Sequence, residues 1–165
     1  MKTLLILSAL TLSSLACAAP DPCKLLTPGE VQSGLGAPTV TAKPATDQDI
    51  PTCNFDFKDG GLSLGVTAGA GKMLGGKSLL SLLQSGGEGG TPMKGVKAVP
   101  GVGDEAAGGG ASQTTSGVAQ DFATLYLRRG DTLLVFMAVS SNHAASKLNL
   151  QSLTLLARRA LLRLP

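Results

Sequence analysis

The sequence predicts an α+β fold, and three observations carry that reading. Two stretches alternate apolar and polar residues about short turns, which is the pattern of β-hairpins. A helix-start signature surrounds Thr27, and an apolar stripe at helical spacing runs from Leu150 towards the C-terminal end. The chain has 165 residues, is 43% hydrophobic and 15% charged, and carries a formal net charge of +3. Those values describe one ordinary folded domain, with no internal repeat to suggest a second.

Taken in order, Thr27-Pro28-Gly29-Glu30 reads as a capping box with proline at the first helical position, and Gly36 supplies the stop. Residues 37–52 hold three prolines and no periodicity, which predicts a surface loop. Cys53-Asn54-Phe55-Asp56-Phe57 alternates, Lys58-Asp59-Gly60-Gly61 turns, and Leu62-Ser63-Leu64-Gly65-Val66 alternates again, giving a first hairpin. A short helix is expected over 77–84 from its four leucines, fading into a flexible glycine-rich connection over 85–90. Residues 96–99 read as a short strand, and a second glycine-rich stretch spans 108–110. Alternation from Phe122 to Arg128, the turn Arg129-Gly130-Asp131 and the run from Thr132 to Val139 give a second hairpin. Its return strand is apolar enough to lie in the middle of a sheet. Leu150, Leu153, Ala157, Ala160, Leu161 and Leu164 then share one helix face, with Arg158, Arg159 and Arg163 near the end where cations suit the dipole. The expected architecture is thus an antiparallel sheet of two hairpins plus a short strand, packed by a short N-terminal, a short middle and a long C-terminal helix.

The N-terminal end points to export. Met1-Lys2-Thr3 precedes a short apolar run from Leu4 to Leu12, which ends in small residues, as a secretory signal peptide does. A buried first helix would need a cap and an amphipathic stripe, and the run has neither. Two cleavages compete. Ala16-Cys17-Ala18 is a small-x-small site that leaves a signal peptide of residues 1–18 and a domain of 19–165. Ser14-Leu15-Ala16-Cys17 resembles a lipobox, which would remove 1–16 and acylate Cys17, although Ser14 stands where leucine is usual. Either route removes Cys17 from disulfide chemistry and leaves Cys23 and Cys53, which an oxidising compartment would join.

Composition excludes several function classes. The charge excess is small and scattered, so no basic field for nucleic acid exists. One tyrosine, four phenylalanines and no tryptophan leave few stacking platforms for bases or sugars. No pairing of soft ligands at metal-site spacing is present, so no metal or cofactor is expected.

Three patterns nonetheless imitate active sites. Gly71-Lys72-Met73-Leu74-Gly75-Gly76-Lys77-Ser78 fits a phosphate-cradling loop between strand and helix, which offers nucleotide binding at Lys77 as an alternative function. No later strand ends in an Asp to hold magnesium, because Asp131 precedes its strand. Gly61-Leu62-Ser63-Leu64-Gly65 fits the nucleophile elbow of a serine hydrolase, with Asp131 and His143 following in hydrolase order. Ser63, however, sits inside an alternating run instead of on a turn, and His143, the one histidine, falls where the first turn of the last helix is expected. Gly101-Val102-Gly103-Asp104-Glu105-Ala106 fits a dinucleotide fingerprint but leads into Ala107 and three glycines, which cannot open the helix it needs. Asp104 and Glu105, Arg128 and Arg129, and the C-terminal arginines read as solvated charges.

Four features in order, Asp21-Pro22-Cys23-Lys24-Leu25-Leu26-Thr27 with Glu30-Val31, Cys53-Asn54-Phe55, Pro100-Gly101-Val102-Gly103-Asp104-Glu105-Ala106 and Leu127-Arg128-Arg129-Gly130-Asp131, resemble a family of small exported bacterial lipoproteins of unknown function whose fold is similar to the photosystem extrinsic protein PsbP. The resemblance implies a curved antiparallel sheet covered by helices, a Cys23 to Cys53 disulfide and attachment to the outer face of a membrane. It implies no activity and no catalytic residues. The expectation is therefore a non-enzymatic binding or accessory module of the cell envelope, lipid-anchored or secreted, whose partner is an envelope lipid, polymer or protein. The membrane surface joins that set if Cys17 is acylated.

Overall fold

The structure, a computed structural model, describes residues 19–86, 93 and 95–165. The expected signal peptide, the lipidation site Cys17 and most of the glycine-rich connection over 85–90 lie outside the described residues. Elements run in the order α1 (Pro28–Leu35), β1 (Thr41–Asp47), β2 (Ile50–Phe57), β3 (Gly60–Ala68), α2 (Ala70–Leu74), α3 (Leu79–Ser85), β4 (Lys97–Ala98), β5 (Glu105–Thr115), β6 (Val118–Arg129), β7 (Thr132–Ser141) and α4 (Leu150–Leu161), with a 3-10 turn at Pro22–Lys24 before them. The strands form one antiparallel sheet in the order β1-β2-β3-β7-β6-β5-β4. The α+β class, both hairpins, the short strand and the first, middle and last helices stand as expected, but seven strands replace the five expected.

The two additions have physical reasons. Residues 41–47 were expected in a loop because they hold Pro44 and no alternation, yet they form the edge strand β1 against β2. An edge strand exposed along nearly its whole length has no apolar periodicity to show, and proline is tolerated where no outer neighbour needs its N–H. The glycines at 108–110 lie inside β5 and are not a flexible link. A Cβ on Gly108 would collide with the Thr124 carbonyl oxygen, the Leu125 backbone and Leu150, so only glycine lets β6 and α4 approach this closely.

Register assigns each strand residue to a face. Cys53, Leu64, Phe136 and Leu125 lie in one row across the sheet, flanked by the row Phe55, Leu62, Ala138 and Ala123. All eight are buried, and they form the main core with α1, α4 and the 3-10 turn. The capping box of α1 is present: Thr27 Oγ1 accepts from the Glu30 N–H, Glu30 accepts from the Thr27 N–H, and Gly36 closes the helix in the left-handed region at φ 61°. Cys23 and Cys53 form a disulfide with Cα atoms 5.0 Å apart, which ties the N-terminal segment to β2. That bond fits an oxidising, extracytoplasmic compartment. No helix among the described residues is long and apolar enough to cross a membrane.

Arg163, expected to be solvated, instead closes the core from its far end. Its guanidinium makes two 2.8 Å bonds to the Glu30 carboxylate and a third to the Leu25 carbonyl. Arg163 first, then Thr27, holds the Glu30 carboxyl down from 4.5 to about 2 against the opposing effect of burial. Asp104 and Glu105 are likewise not idle. Asp104 accepts from the Gly130 N–H and pairs with Arg128, and Glu105 accepts from the Leu79 N–H.

Candidate functional site

The opposite face of the sheet is only partly covered. Short helices α2 and α3 pack Ala70, Leu74, Leu79 and Leu83 onto Leu133, Ala107 and Val96, covering one end of β5 and β7. The rest of that face is open. Its rows read Asp56, Gly61, Val139 and Phe122; then Asn54, Ser63, Met137 and Thr124; then Thr52, Gly65, Val135 and Tyr126.

Strand β7 lies in the middle of the sheet as expected, with its outer face only partly covered. Leu133 is buried under the short helices, but Met137 is 43% and Val139 39% exposed. Met73, on α2 above the same face, is 52% exposed. Of six large apolar side chains exposed among the described residues, three therefore converge on one surface, which scattered surface apolars would not do.

Two clefts run along this surface. One, of about 390 Å³, is lined by Asn54, Asp56, Ser63, Phe122, Thr124, Met137 and Val139. The other, of about 240 Å³, lies over Gly65 between Ile50, Met73, Tyr126 and Val135. They share Ser63 and Met137 and so form one groove. The floor is low because Gly61 and Gly65 carry no side chain. Polar groups stand at both ends: at one, Lys43 lies 3.5 Å from the Asp56 carboxylate, and Asp47, Thr52 and Thr67 line the other. At the other end, burial pushes the Tyr126 phenol above its usual pKa.

The structure does not bring Ser63 and His143 together. Met137 stands directly across from Ser63, and β7 runs four residues, roughly 13 Å, beyond it to Ser141 before the turn that carries His143. His143 lies in the turn after β7 at φ 55°, not in the first turn of α4. Its Nδ1 is 2.7 Å from Asp121 Oδ2, while Ser112 donates to Asp121 Oδ1 at 2.6 Å. Asp121 shares its row with Ser112 and Ser140, on the face opposite to Ser63. The Ser112 hydrogen bond first, with His143 helping, holds Asp121 below the usual carboxylate range. Asp131, the third member of the sequence constellation, is spent on the Gly71 N–H at 3.0 Å.

The residues of the phosphate-loop pattern meet carboxylates where a phosphate would sit. Helix α2 occupies the interior of that stretch, Gly71 donates to Asp131, and the Leu79 N–H at the start of α3 donates to Glu105 Oε1 at 2.6 Å. Asp104 and Glu105 line the cleft beside Lys77, Ser78 and Arg128, so its two cations already face two carboxylates of the chain. Among the described residues no cluster of three His, Cys, Asp or Glu side chains could hold a metal.

Set against protein-family models, curated proteins and solved structures, the chain matches none.

Proposed function

We propose that this chain is an exported binding module of the cell envelope that takes its ligand on the uncovered face of the sheet and performs no chemistry on it. The observation that supports the reading is the groove over Ser63, Gly65 and Met137, an apolar surface at the centre of the sheet that the chain's own short helices leave open. Such a surface costs solubility unless something covers it. The Cys23–Cys53 disulfide supports export. The PsbP-like arrangement belongs to the same reading, supported by an antiparallel sheet with α1 and α4 on one face and the short α2 and α3 on part of the other. Whether Cys17 is acylated decides between an anchored and a free module.

Two measurements test this. Intact mass of the protein from membrane and soluble fractions of its host should begin at diacylated Cys17 or at Ala19, and an uncut Met1 refutes export. Methyl spectra of protein labelled at methionine should then show Met73 and Met137 moving on addition of envelope lipid or wall polymer. If neither addition moves them, the binding face is refuted.

A further inference from the structure

We infer that the groove over β3 and β7 holds a single linear acyl chain of an envelope lipid, an assignment that rests on the binding-face reading above. The floor excludes other occupants. Strands β2, β3, β7 and β6 are paired on both sides there, so no backbone N–H or C=O is left to hold an extended peptide. Sugars and bases would want aromatic platforms, and the groove offers Phe122 and Tyr126 at opposite ends with methionine and glycine between. What remains is apolar contact along a line. From Gly61 to Thr67 the groove follows β3 for roughly 20 Å, comparable with the roughly 15 Å of hydrocarbon in one leaflet of a bilayer.

Both clefts are mainly apolar, and each carries one carboxylate, Asp56 in the larger and Asp47 in the smaller. The chain lies along the apolar middle, and its polar head meets Asn54, Ser63 and the Lys43–Asp56 pair at the larger cleft. Met73 and Met137 are unbranched and adaptable, which lets one groove accept chains of differing length or unsaturation. Gly65 is the central determinant. A Cβ there would lie 3.5 Å from Ile50 and 3.7 Å from Thr52, ordinary contacts, so a larger side chain fits the sheet and fills the groove instead.

The test is calorimetric titration of the full chain with myristoyl lysophosphatidylcholine below its micelle concentration, with glycerophosphocholine as the head alone. The wild type should bind the lysolipid and ignore the head. Gly65→Leu, with an unchanged circular dichroism spectrum, should bind about tenfold more weakly or worse. Should that variant fail to fold, Met137→Asn at an exposed position should still weaken binding several-fold. Equal binding by wild type and variants, binding of the head alone, or no binding of the lysolipid overturns the inference. If wall polymer moves the Met73 and Met137 methyl signals and the lysolipid does not, the acyl-chain assignment falls while the binding face stands.

Discussion

Reduction of the Cys23–Cys53 bond gives the sharpest test of how the domain is held together. The two residues are 30 apart in sequence, so the closed loop has about 31 residues and contains α1 and the edge strand β1. Chain entropy for a loop of that size is about 12 cal/mol/K, or roughly 3–4 kcal/mol at 25 °C. Reduction leaves both sulfurs in place. It therefore measures the crosslink alone, whereas Cys53→Ala would also open a cavity at a position with no exposure and cost more. For a domain of this size the loss corresponds to a melting temperature lower by about 10 °C. The assay is urea unfolding followed by circular dichroism, with and without a phosphine reductant, on material whose Cys23–Cys53 linkage has been shown by non-reducing peptide mapping. A loss below about 1 kcal/mol would refute the reasoning, since the packing of the N-terminal segment on β2 would then close the loop unaided.

Other outcomes follow from single contacts. Glu30 has its carboxyl lowered from 4.5 to about 2 in the folded state, so its pairing with Arg163 stabilises fully above pH 4.5 and is lost as pH falls through about 2. Glu30→Gln should therefore be less stable than wild type at pH 7, with the two unfolding curves converging in acid; a gap that does not narrow refutes the assignment. Gly108→Ala should cost about 2–3 kcal/mol in urea unfolding because its Cβ meets backbone of β6, and a neutral result would mean that β5 does not lie where register places it.

Local chemistry made part of this fold legible. The capping box at Thr27, the stop at Gly36 and both hairpins follow from short-range turn and cap preferences, and they stand where expected. Strand β1 did not, because its residues are exposed on both sides and its partner is chosen by β2 and not by its own pattern. Gly108 gave no strand signal because glycine serves both links and close approaches, and only α4 and β6 in place tell the two apart. The open face of the sheet was half visible. Alternation in β3 put Leu62, Leu64 and Val66 on one side and Ser63 and Gly65 on the other, but the apolar run of β7 has no alternation to show which of its residues α2 and α3 leave uncovered. Sequence context already sets aside the motifs around Ser63, Lys77 and His143, and the structure adds what spacing along a chain cannot give, the face each strand residue takes.

The contact between Arg163 and the Leu25–Glu30 region places both ends of the domain on the helix-backed side, with Ala19 packed there as well. A circular permutant that joins the C-terminal residues to Ala19 through a short linker, and opens the chain in the Lys58–Asp59 turn, should keep the fold, because the join spans ends already held together. For the same reason a domain fixed to a bead or a bilayer by its natural N-terminal side turns its groove outward. The uncovered face of the sheet lies on the side opposite to both Ala19 and Arg163.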